Sequence, residues 1–344
     1  MSFIVVGTNH KYCPIEVREK LSFSKGRIKE ALISLVDFKW VKAAVIVSTC
    51  NRVELYATTP DIEMGIKTLK TFLADYHSQD LSRIEPYVYT YIGKQAISHL
   101  FNVSGGLDSQ IVGETQILEQ VRFAFEEAKK SGCVDSVLDN VFSDALRVGK
   151  KVRKDTKISE GNTSIGSITI SLIKEKIGSL KDKKIVIIGV GKVSELVTKY
   201  LKEENAFTVF VSNRTFLKAK ELAESIGAVA IRFERLKEKL KEADVVISAT
   251  TSPHFILREG DILEVHRPLL IIDLALPRDV EPEVKYIDGI ELYCLDDLNY
   301  IIEKNLDKRK DEILEATNII EKEAQNLWRA IYFLESAHAE ALLP

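Results

Sequence analysis

Apolar residues in the first part of the chain occur in short runs that are typical of β-strands. One run extends from Phe3 to Gly7, a second from Ala43 to Val47 and a third from Val53 to Ala57. The second and third runs are separated only by small or polar residues and a cysteine, Cys50. The pattern predicts a strand, a tight turn and a second strand, with Cys50 at the exposed turn.

Helical spacing of apolar residues follows in several segments. It predicts helices over residues 24–36, 61–76, 93–103, 116–132 and 136–158, with a short strand at 87–89. Ser24 is the expected N-cap of the first helix, and Gly132 is the expected stop of the fourth. Residues 105–116 contain three glycines among polar side chains, which indicates a shaped loop.

In the second part of the chain, apolar runs alternate with helical segments. The runs cover residues 184–188, 207–211, 228–230, 243–249 and 269–274. Strands and helices that alternate at this pitch predict a parallel sheet with helices on both faces. The segment 161–164 interrupts the chain before this pattern, and we place a domain boundary there.

The last part of the chain is strongly charged and has helical spacing. No proline or glycine occurs from Asp296 to Ala337, so we expect one long helix with an apolar stripe. The predicted fold class is therefore an α/β multidomain protein. It has an N-terminal α/β domain (1–160), a Rossmann-like nucleotide-binding domain (161–295) and a long C-terminal helix (296–344).

The composition is that of an ordinary globular protein, with 344 residues, of which 45% are hydrophobic and 29% charged. A net charge of −3 excludes a global positive field that would attract nucleic acid, so such contact requires a local basic patch. The predicted helix 136–158 offers a candidate patch, which fits either a solvated face or a phosphate-binding surface. The basic residues in its later part are Arg147, Lys150, Lys151, Arg153, Lys154 and Lys157.

The four cysteines, Cys13, Cys50, Cys133 and Cys294, lie far apart and form no CxxC pair. This spacing argues against a metal site and against a disulfide framework. The N-terminus lacks the basic start and the cleavage site of a signal peptide, and no run approaches the roughly 20 apolar residues of a membrane span. We therefore expect a cytoplasmic protein with no metal and no membrane contact.

Cys50 is the first candidate for catalysis. Its neighbours Thr49, Asn51 and Arg52 can donate hydrogen bonds and positive charge. Such surroundings lower the pKa of a thiol and favour the nucleophilic thiolate. An inert turn cysteine is the alternative that this segment alone leaves open.

A dinucleotide-binding fingerprint follows the first strand of the second domain. Gly189-x-Gly191-x-x-Ser194 ends a strand and opens a helix, which is the context that pyrophosphate binding requires. The next strand ends in Ser212, Asn213 and Arg214 instead of an acidic residue. These residues suit a 2′-phosphate, so the sequence favours NADPH over NADH, unless Arg214 is simply a surface residue.

A nucleophilic cysteine combined with a reduced nicotinamide predicts a specific reaction. Attack of the thiolate on an activated acyl group gives a thioester, and hydride then reduces the thioester to an aldehyde. The reverse, oxidative direction is used by aldehyde dehydrogenases. His99, on a predicted helix before the glycine-containing loop, is either a structural histidine or a participant in this chemistry.

Four segments together resemble the glutamyl-tRNA reductase family. They are residues 7–11 (GTNHK), 48–56 (STCNRVELY), 106–118 (GLDSQIVGETQIL) and 273–282 (DLALPRDVEP). The resemblance implies that Cys50 is the nucleophile and that His99 is an active-site histidine. The substrate-binding positions that it implies are Thr49, Asn51, Arg52, Ser109, Glu114 and Gln116. The cofactor-binding positions are Gly189, Val190, Gly191, Lys192, Val193, Ser194, Ser212, Asn213 and Arg214.

The resemblance also implies the substrate and the partners. Glutamyl-tRNA(Glu) is reduced by NADPH to glutamate-1-semialdehyde in the first step of five-carbon tetrapyrrole synthesis, and the aldehyde is passed to an aminotransferase. Family members are V-shaped homodimers, formed by helices that follow a long spinal helix. This chain ends at Pro344, so we expect the dimerisation domain to be short or truncated.

Two other departures from the family pattern are the Tyr12-Cys13 pair and the residues Lys192 and Val193 in the fingerprint. Two alternative functions remain at this point. One is an NADP-dependent aldehyde dehydrogenase or acyl reductase that acts without tRNA. The other is a non-catalytic haem-binding relative that uses Cys13 or His10 as a ligand.

Overall fold

The computed structural model describes residues 2–24, 26–159, 164–206, 209–265, 268–298 and 309–341, the last ten by their backbone alone. The chain divides into two compact units. Unit 1 comprises residues 1–161 together with 306–344, and unit 2 comprises residues 162–305.

The elements are numbered here in chain order. The strands are β1 (Ser2–Asn9), β2 (Ala43–Ser48), β3 (Arg52–Thr59), β4 (Tyr89–Ile92), β5 (Ile185–Ile188), β6 (Val209–Ser212), β7 (Val229–Ile231), β8 (Val245–Ser248), β9 (Leu269–Asp273) and β10 (Ile290–Cys294). The α-helices are α1 (Ile15–Arg18), α2 (Ile28–Val36), α3 (Ile62–Tyr76), α4 (Leu81–Ile84), α5 (Lys94–Gly105), α6 (Gln116–Lys130), α7 (Ser136–Asp155), α8 (Ile165–Ile177), α9 (Lys192–Glu203), α10 (Phe216–Ile226), α11 (Leu236–Leu240), α12 (Glu259–Ile262) and α13 (Lys310–Ala341).

Unit 1 is built on an antiparallel sheet with the strand order β2-β3-β1-β4. The predicted strand, turn and strand around Cys50 are confirmed as the hairpin of β2 and β3, whose last pair before the turn is Ser48 with Val53. β3 is buried along its whole length because β1 pairs with it from end to end and helices cover the sheet. Side chains alternate along a strand, so Arg52, Glu54 and Tyr56 share one face.

The C-terminal helix α13 belongs to unit 1. It packs against α5 and α7, with Ala316, Ile320, Ala324 and Leu327 buried along one face. Ile320 and Leu327 belong to the apolar stripe expected from the sequence, whereas the small residues Ala316 and Ala324, which complete the face at spacings of three and four, were not part of that expectation. The predicted start of the helix was wrong, since residues 295–298 form a 3-10 turn; the expected continuation over 299–308 lies outside the described residues.

Unit 2 confirms the parallel sheet. Its strand order is β10-β9-β8-β5-β6-β7, and every pair of neighbours is parallel. Numbered from β5, this is the order 3-2-1-4-5-6 of a doubly wound dinucleotide-binding fold. In this fold, ligands bind beyond the carboxyl ends of the strands.

Three local predictions failed for identifiable reasons. Helix α8 was not expected because it is buried almost all round and shows no amphipathic period. Strand β10 was missed because it is a partly exposed edge strand with mixed side chains. Ser24 does not cap α2, which begins at Ile28 after a turn at Arg27. Among the helices that the structure describes, none combines the length and apolar content of a membrane-spanning segment.

Gly7 lies on β1 directly opposite Glu54 on β3. A Cβ atom at position 7 would lie 2.7 Å from Glu54 Cγ and 2.7 Å from the carbonyl oxygen of Val53, whereas a Cβ at Gly26 would have no atom within 4 Å. We expect Gly7→Ala to lower the free energy of unfolding by about 2 kcal/mol, because two buried groups must move. Gly26→Ala is the matched control and should change it by less than about 1 kcal/mol. Equal melting temperatures for the two variants would show that β1 and β3 have more room than the structure indicates.

Candidate active site

The turn between β2 and β3 is held in shape by its own residues. The Thr49 amide donates to the Arg52 carbonyl at 2.9 Å, and Thr49 Oγ1 accepts from the amides of Asn51 and Arg52 at 3.1 and 3.2 Å. Arg18, fully buried, donates from Nε to the Cys50 carbonyl at 3.1 Å. These bonds fix the backbone of Cys50 from both sides.

The thiol of Cys50 differs from the sequence-based expectation. The residue is half-buried rather than exposed, and its thiol is free of any disulfide. Burial and the carboxyl group of Glu114 raise the pKa of Cys50 to about 11, although Arg18 and Arg52 act in the opposite direction. The prediction of a lowered pKa was therefore wrong, because loss of water around the sulfur outweighs the neighbouring positive charges.

Arg52 is buried in an internal ion-pair network. Its side chain is 1% exposed and donates from Nη1 to Glu54 Oε1 at 2.7 Å and to Asp108 Oδ2 at 3.0 Å, and from Nη2 to the Asp108 carbonyl. Burial opposes the charge, yet Glu54, Tyr89 and Asp108 raise the pKa of Arg52 further. The guanidinium is therefore permanently charged and already holds two carboxylates.

Glu54 is the centre of this network and is completely buried. Besides Arg52, its carboxylate accepts from the hydroxyls of Tyr56 and Tyr89 and lies 2.7 Å from His99 Nε2. Burial disfavours its charge, but Arg52, His99 and these hydrogen bonds hold the pKa of Glu54 well below its usual range. The buried carboxylate thereby fixes the position of His99 on α5 relative to the hairpin on which Cys50 lies.

Asp108 joins the loop at residues 106–115 to the same network. Its carboxylate accepts from Lys11 Nζ at 2.6 Å and from Asn9 Nδ2 at 3.2 Å. Sequence reasoning missed both Glu54 and Asp108. For Glu54 a signal was present, because a glutamate inside an apolar strand is almost never buried without a partner.

Other predicted substrate positions lie in or near this region. Ser109 is buried, Glu114 and Gln116 are half-buried, and Gln116 opens α6. Burial raises the pKa of Glu114. Ser109 makes a side-chain hydrogen bond with Glu114. Buried polar atoms with no hydrogen-bond partner of ordinary geometry among the described residues include Asn51 Oδ1 and His10 Nδ1. Such orphaned atoms are costly in a folded protein unless a ligand or water meets them.

Three ligand-type atoms, from Glu54, His99 and Asp108, lie within 4.8 Å of one another. In type and spacing they could hold a metal ion. However, Arg52 already supplies a positive charge to both carboxylates, so a cation would have to compete with it.

The predicted cofactor-binding residues lie at the carboxyl ends of β5 and β6 in unit 2. Gly189 has a positive φ of 103°, and a Cβ there would lie 2.6 Å from the Ala249 carbonyl oxygen, so only glycine fits this turn. Val190 follows in the turn, and Gly191 is the N-cap of α9, with only the Ala249 carbonyl oxygen, at 4.0 Å, near an added Cβ. The open backbone at a helix N-terminus suits a pyrophosphate.

The residues around this turn also fit a dinucleotide. Lys192 and Val193 form the first turn of α9, and Ser194 is buried on its inner side. The hydroxyls of Ser194 and Ser212 are buried without a partner in the described part of the chain. Asn213 donates to the Thr215 carbonyl at 3.2 Å, and Arg214 is exposed.

The Glu54 network yields a stability prediction. Glu54→Gln keeps the shape of the side chain but leaves buried Arg52 with one carboxylate fewer. We therefore expect this variant to have a free energy of unfolding about 3 kcal/mol lower than that of the wild type at neutral pH. Because the pKa of Glu54 is lowered by folding, its contribution is complete above about pH 4.3, the ordinary value, and is lost as the pH falls below it. The difference in the free energy of unfolding between wild type and Glu54→Gln should therefore become smaller at acidic pH.

Glu85→Gln is the control for this experiment. Glu85 is exposed and pairs with Lys70 at 2.9 Å. Such surface ion pairs contribute at most about 1 kcal/mol to the free energy of unfolding. Calorimetric melting at several pH values measures both variants. A Glu54→Gln protein as stable as Glu85→Gln at neutral pH would contradict the central role of Glu54.

Two family models match the chain. The model described as glutamyl-tRNAGlu reductase, N-terminal domain, matches residues 6–156. The model described as shikimate / quinate 5-dehydrogenase matches residues 171–301. The second match covers most of unit 2 and supports a nicotinamide cofactor for its parallel sheet.

Similar proteins and a similar structure agree with the first model. The glutamyl-tRNA reductase of Geotalea daltonii is 41% identical over 97% of this chain and 78% of that protein. The one of Carboxydothermus hydrogenoformans is 41% identical over 97% of this chain and 76% of that protein. The solved glutamyl-tRNA reductase of Methanopyrus kandleri is 36% identical, covers 98% of this chain and 82% of its own, and superposes with a TM-score of 0.54. With this identity over nearly its whole length, the chain belongs to the glutamyl-tRNA reductase family.

Proposed function

We propose that this protein reduces glutamyl-tRNA(Glu) to glutamate-1-semialdehyde and releases the tRNA, with NADPH as reductant and Cys50 as nucleophile. The family to which the chain belongs carries out the first step of tetrapyrrole biosynthesis. The observation that supports the role of Cys50 most directly is its rigid turn, bonded on both sides and surrounded by Glu114, Arg18 and Arg52.

The first half of the reaction is an acyl transfer. Cys50 Sγ attacks the ester carbonyl carbon, an S–C bond forms, and the bond to the ribose oxygen of the tRNA breaks. Because the thiol is protonated at rest, its proton must leave as the attack begins. Glu114, whose carboxyl group perturbs the thiol and whose pKa is raised by burial, is our candidate to take that proton and return it to the leaving ribose oxygen.

The second half is a reduction. Bound NADPH supplies a hydride to the thioester carbon, the C–S bond breaks, and the aldehyde leaves with Cys50 restored as a thiol after protonation. The fingerprint glycines support cofactor binding through open backbone at a helix N-terminus. Ser212, Asn213 and Arg214 support the choice of NADPH, since they offer hydroxyl, amide and positive charge to a 2′-phosphate.

We assign the glutamyl group to the polar surroundings of Cys50. The orphaned Asn51 Oδ1 can bond to a polar substrate, Ser109 bonds to Glu114, and Thr49 and Gln116 border the turn and the loop. Arg52 acts through its positive charge, which favours the thiolate of Cys50. It thereby opposes the increase in the pKa of Cys50 that burial causes. His99, whose position is fixed by its bond to Glu54, is assigned to positioning the substrate.

The proposal extends to the surroundings of the protein. The described cysteines are all free thiols, which suits a reducing cytoplasm. We also propose a homodimer and transfer of the aldehyde to an aminotransferase, both on family grounds. Cys13, a ligand in the haem-binding alternative, is buried, so the structure offers no support for that reading.

Replacement of Cys50 tests the mechanism. We expect Cys50→Ala to lower kcat at least about 1,000-fold, because no other thiol can form the intermediate. Cys294→Ala, which removes a half-buried thiol from unit 2, should retain activity. Semialdehyde formation from charged tRNA measures both variants, and substantial activity in Cys50→Ala would contradict covalent catalysis.

Replacement of Arg214 tests the choice of cofactor. Arg214→Ser removes one charge-assisted bond to a 2′-phosphate, so the KM for NADPH should rise roughly tenfold or more while the KM for NADH stays constant. Lys218→Ser, at an exposed position on the following helix α10, is the control for a simple loss of positive charge. A wild type that prefers NADH would reject the assignment.

A further inference from the structure

An exposed tyrosine lies beside the Cys50 turn and has no function in the scheme above. Tyr12 is 53% exposed, so its ring is open to solvent beside this polar site. Its backbone amide donates to the Asn9 carbonyl at 3.1 Å, and the neighbouring His10 amide donates to the Asn51 carbonyl at 2.9 Å. The loop that carries Tyr12 is thus tied directly to the residue that follows Cys50.

Tyr12 is the outer member of an aromatic cluster that ends at the active-site histidine. Its ring meets the edge of Tyr89 at a centroid distance of 5.4 Å. Tyr89 lies 5.3 Å from Tyr91, and both rings contact His99, at 5.4 and 4.8 Å. We call these four residues, Tyr12, Tyr89, Tyr91 and His99, the aromatic shelf.

The inner part of the shelf is fixed, and the outer ring of Tyr12, which makes a side-chain hydrogen bond with Tyr91, keeps an exposed surface. The Tyr89 hydroxyl is bonded to buried Glu54, so this ring cannot turn freely. Tyr89 and Tyr91 are half-buried, whereas Tyr12 presents more than half of its surface to solvent. Lys11, with a side chain 49% exposed, places a positive charge next to this edge, although it also pairs with Asp108.

The chemistry of the substrate indicates what the shelf meets. In an aminoacyl-tRNA the ester is carried by the ribose of the terminal nucleoside, so a carbonyl at Cys50 brings that nucleoside and its base to the rim of the same turn. Unpaired bases are bound in proteins by stacking on aromatic side chains, with basic residues for the adjoining phosphate. We propose that Tyr12 is a substrate-binding residue that stacks on the terminal base of the tRNA. This inference rests on the proposed function.

A cycle of protein and substrate variants tests the stacking. The substrates are two chemically glutamylated RNA hairpins, one with an intact terminal adenosine and one with an abasic terminal ribose. Tyr12→Ala should raise the KM of the intact hairpin about tenfold, the range for loss of one stacked base, and leave the KM of the abasic hairpin unchanged. Tyr12→Phe, which keeps the ring, should behave as wild type.

Controls separate stacking from other effects. Tyr286→Ala removes a 79% exposed tyrosine from unit 2 and should change neither KM. If Tyr12→Ala raised the KM of both hairpins equally, or of neither, the proposal would be overturned. If wild type reduced neither hairpin, the proposed function would fail instead. The same cycle, run on binding of the uncharged hairpins by fluorescence anisotropy, would then still decide whether Tyr12 contacts the base.

Discussion

A carboxylate that is completely buried on a central strand determines the geometry of unit 1. The cost of removing such a charge from water is several kcal/mol, so Glu54 can exist there only with partners on every side. Arg52 comes from its own strand, Tyr89 from β4 and His99 from α5. Tyr89 and His99 each fix one further element relative to β3, and the Cys50 turn begins only a few residues before Glu54. The network that satisfies one buried charge therefore also orients the residues around Cys50, the proposed nucleophile.

The resting state of the Cys50 thiol follows from its burial. Removal of water raises the pKa of Cys50 to about 11, so the thiol is protonated and weakly reactive before substrate arrives. A protonated thiol resists oxidation and misdirected acylation. Activation must then accompany binding, and the raised pKa of Glu114 makes this residue suited to accept a proton at that moment. A turn fixed by Thr49 and Arg18 keeps the Cys50 backbone in place meanwhile, so the proposed activation needs only a proton transfer.

The elements that could be predicted from sequence are those with a local signal. The Cys50 hairpin follows from two apolar runs and a polar turn, and the parallel sheet of unit 2 from alternating strands and helices. Helix α8 could not be recognised because burial on nearly all sides removes the polar face that gives a helix its period. The pairing of Asp108 with Arg52 joins residues 56 positions apart, and no local pattern encodes it. The direction of the pKa shift of Cys50 was also beyond local reasoning, since it depends on how much water the folded chain excludes.

The most direct test of the account is to trap the acyl group on the protein. Purified protein is mixed with radiolabelled glutamyl-tRNA in the absence of NADPH, quenched in acid and digested for peptide mapping. The account predicts label on the peptide that contains Cys50, sensitive to hydroxylamine as a thioester is, and released as semialdehyde when NADPH is added before the quench. Label on any other peptide, or rapid reduction with NADPH in a protein whose Cys50 never becomes labelled, would contradict it.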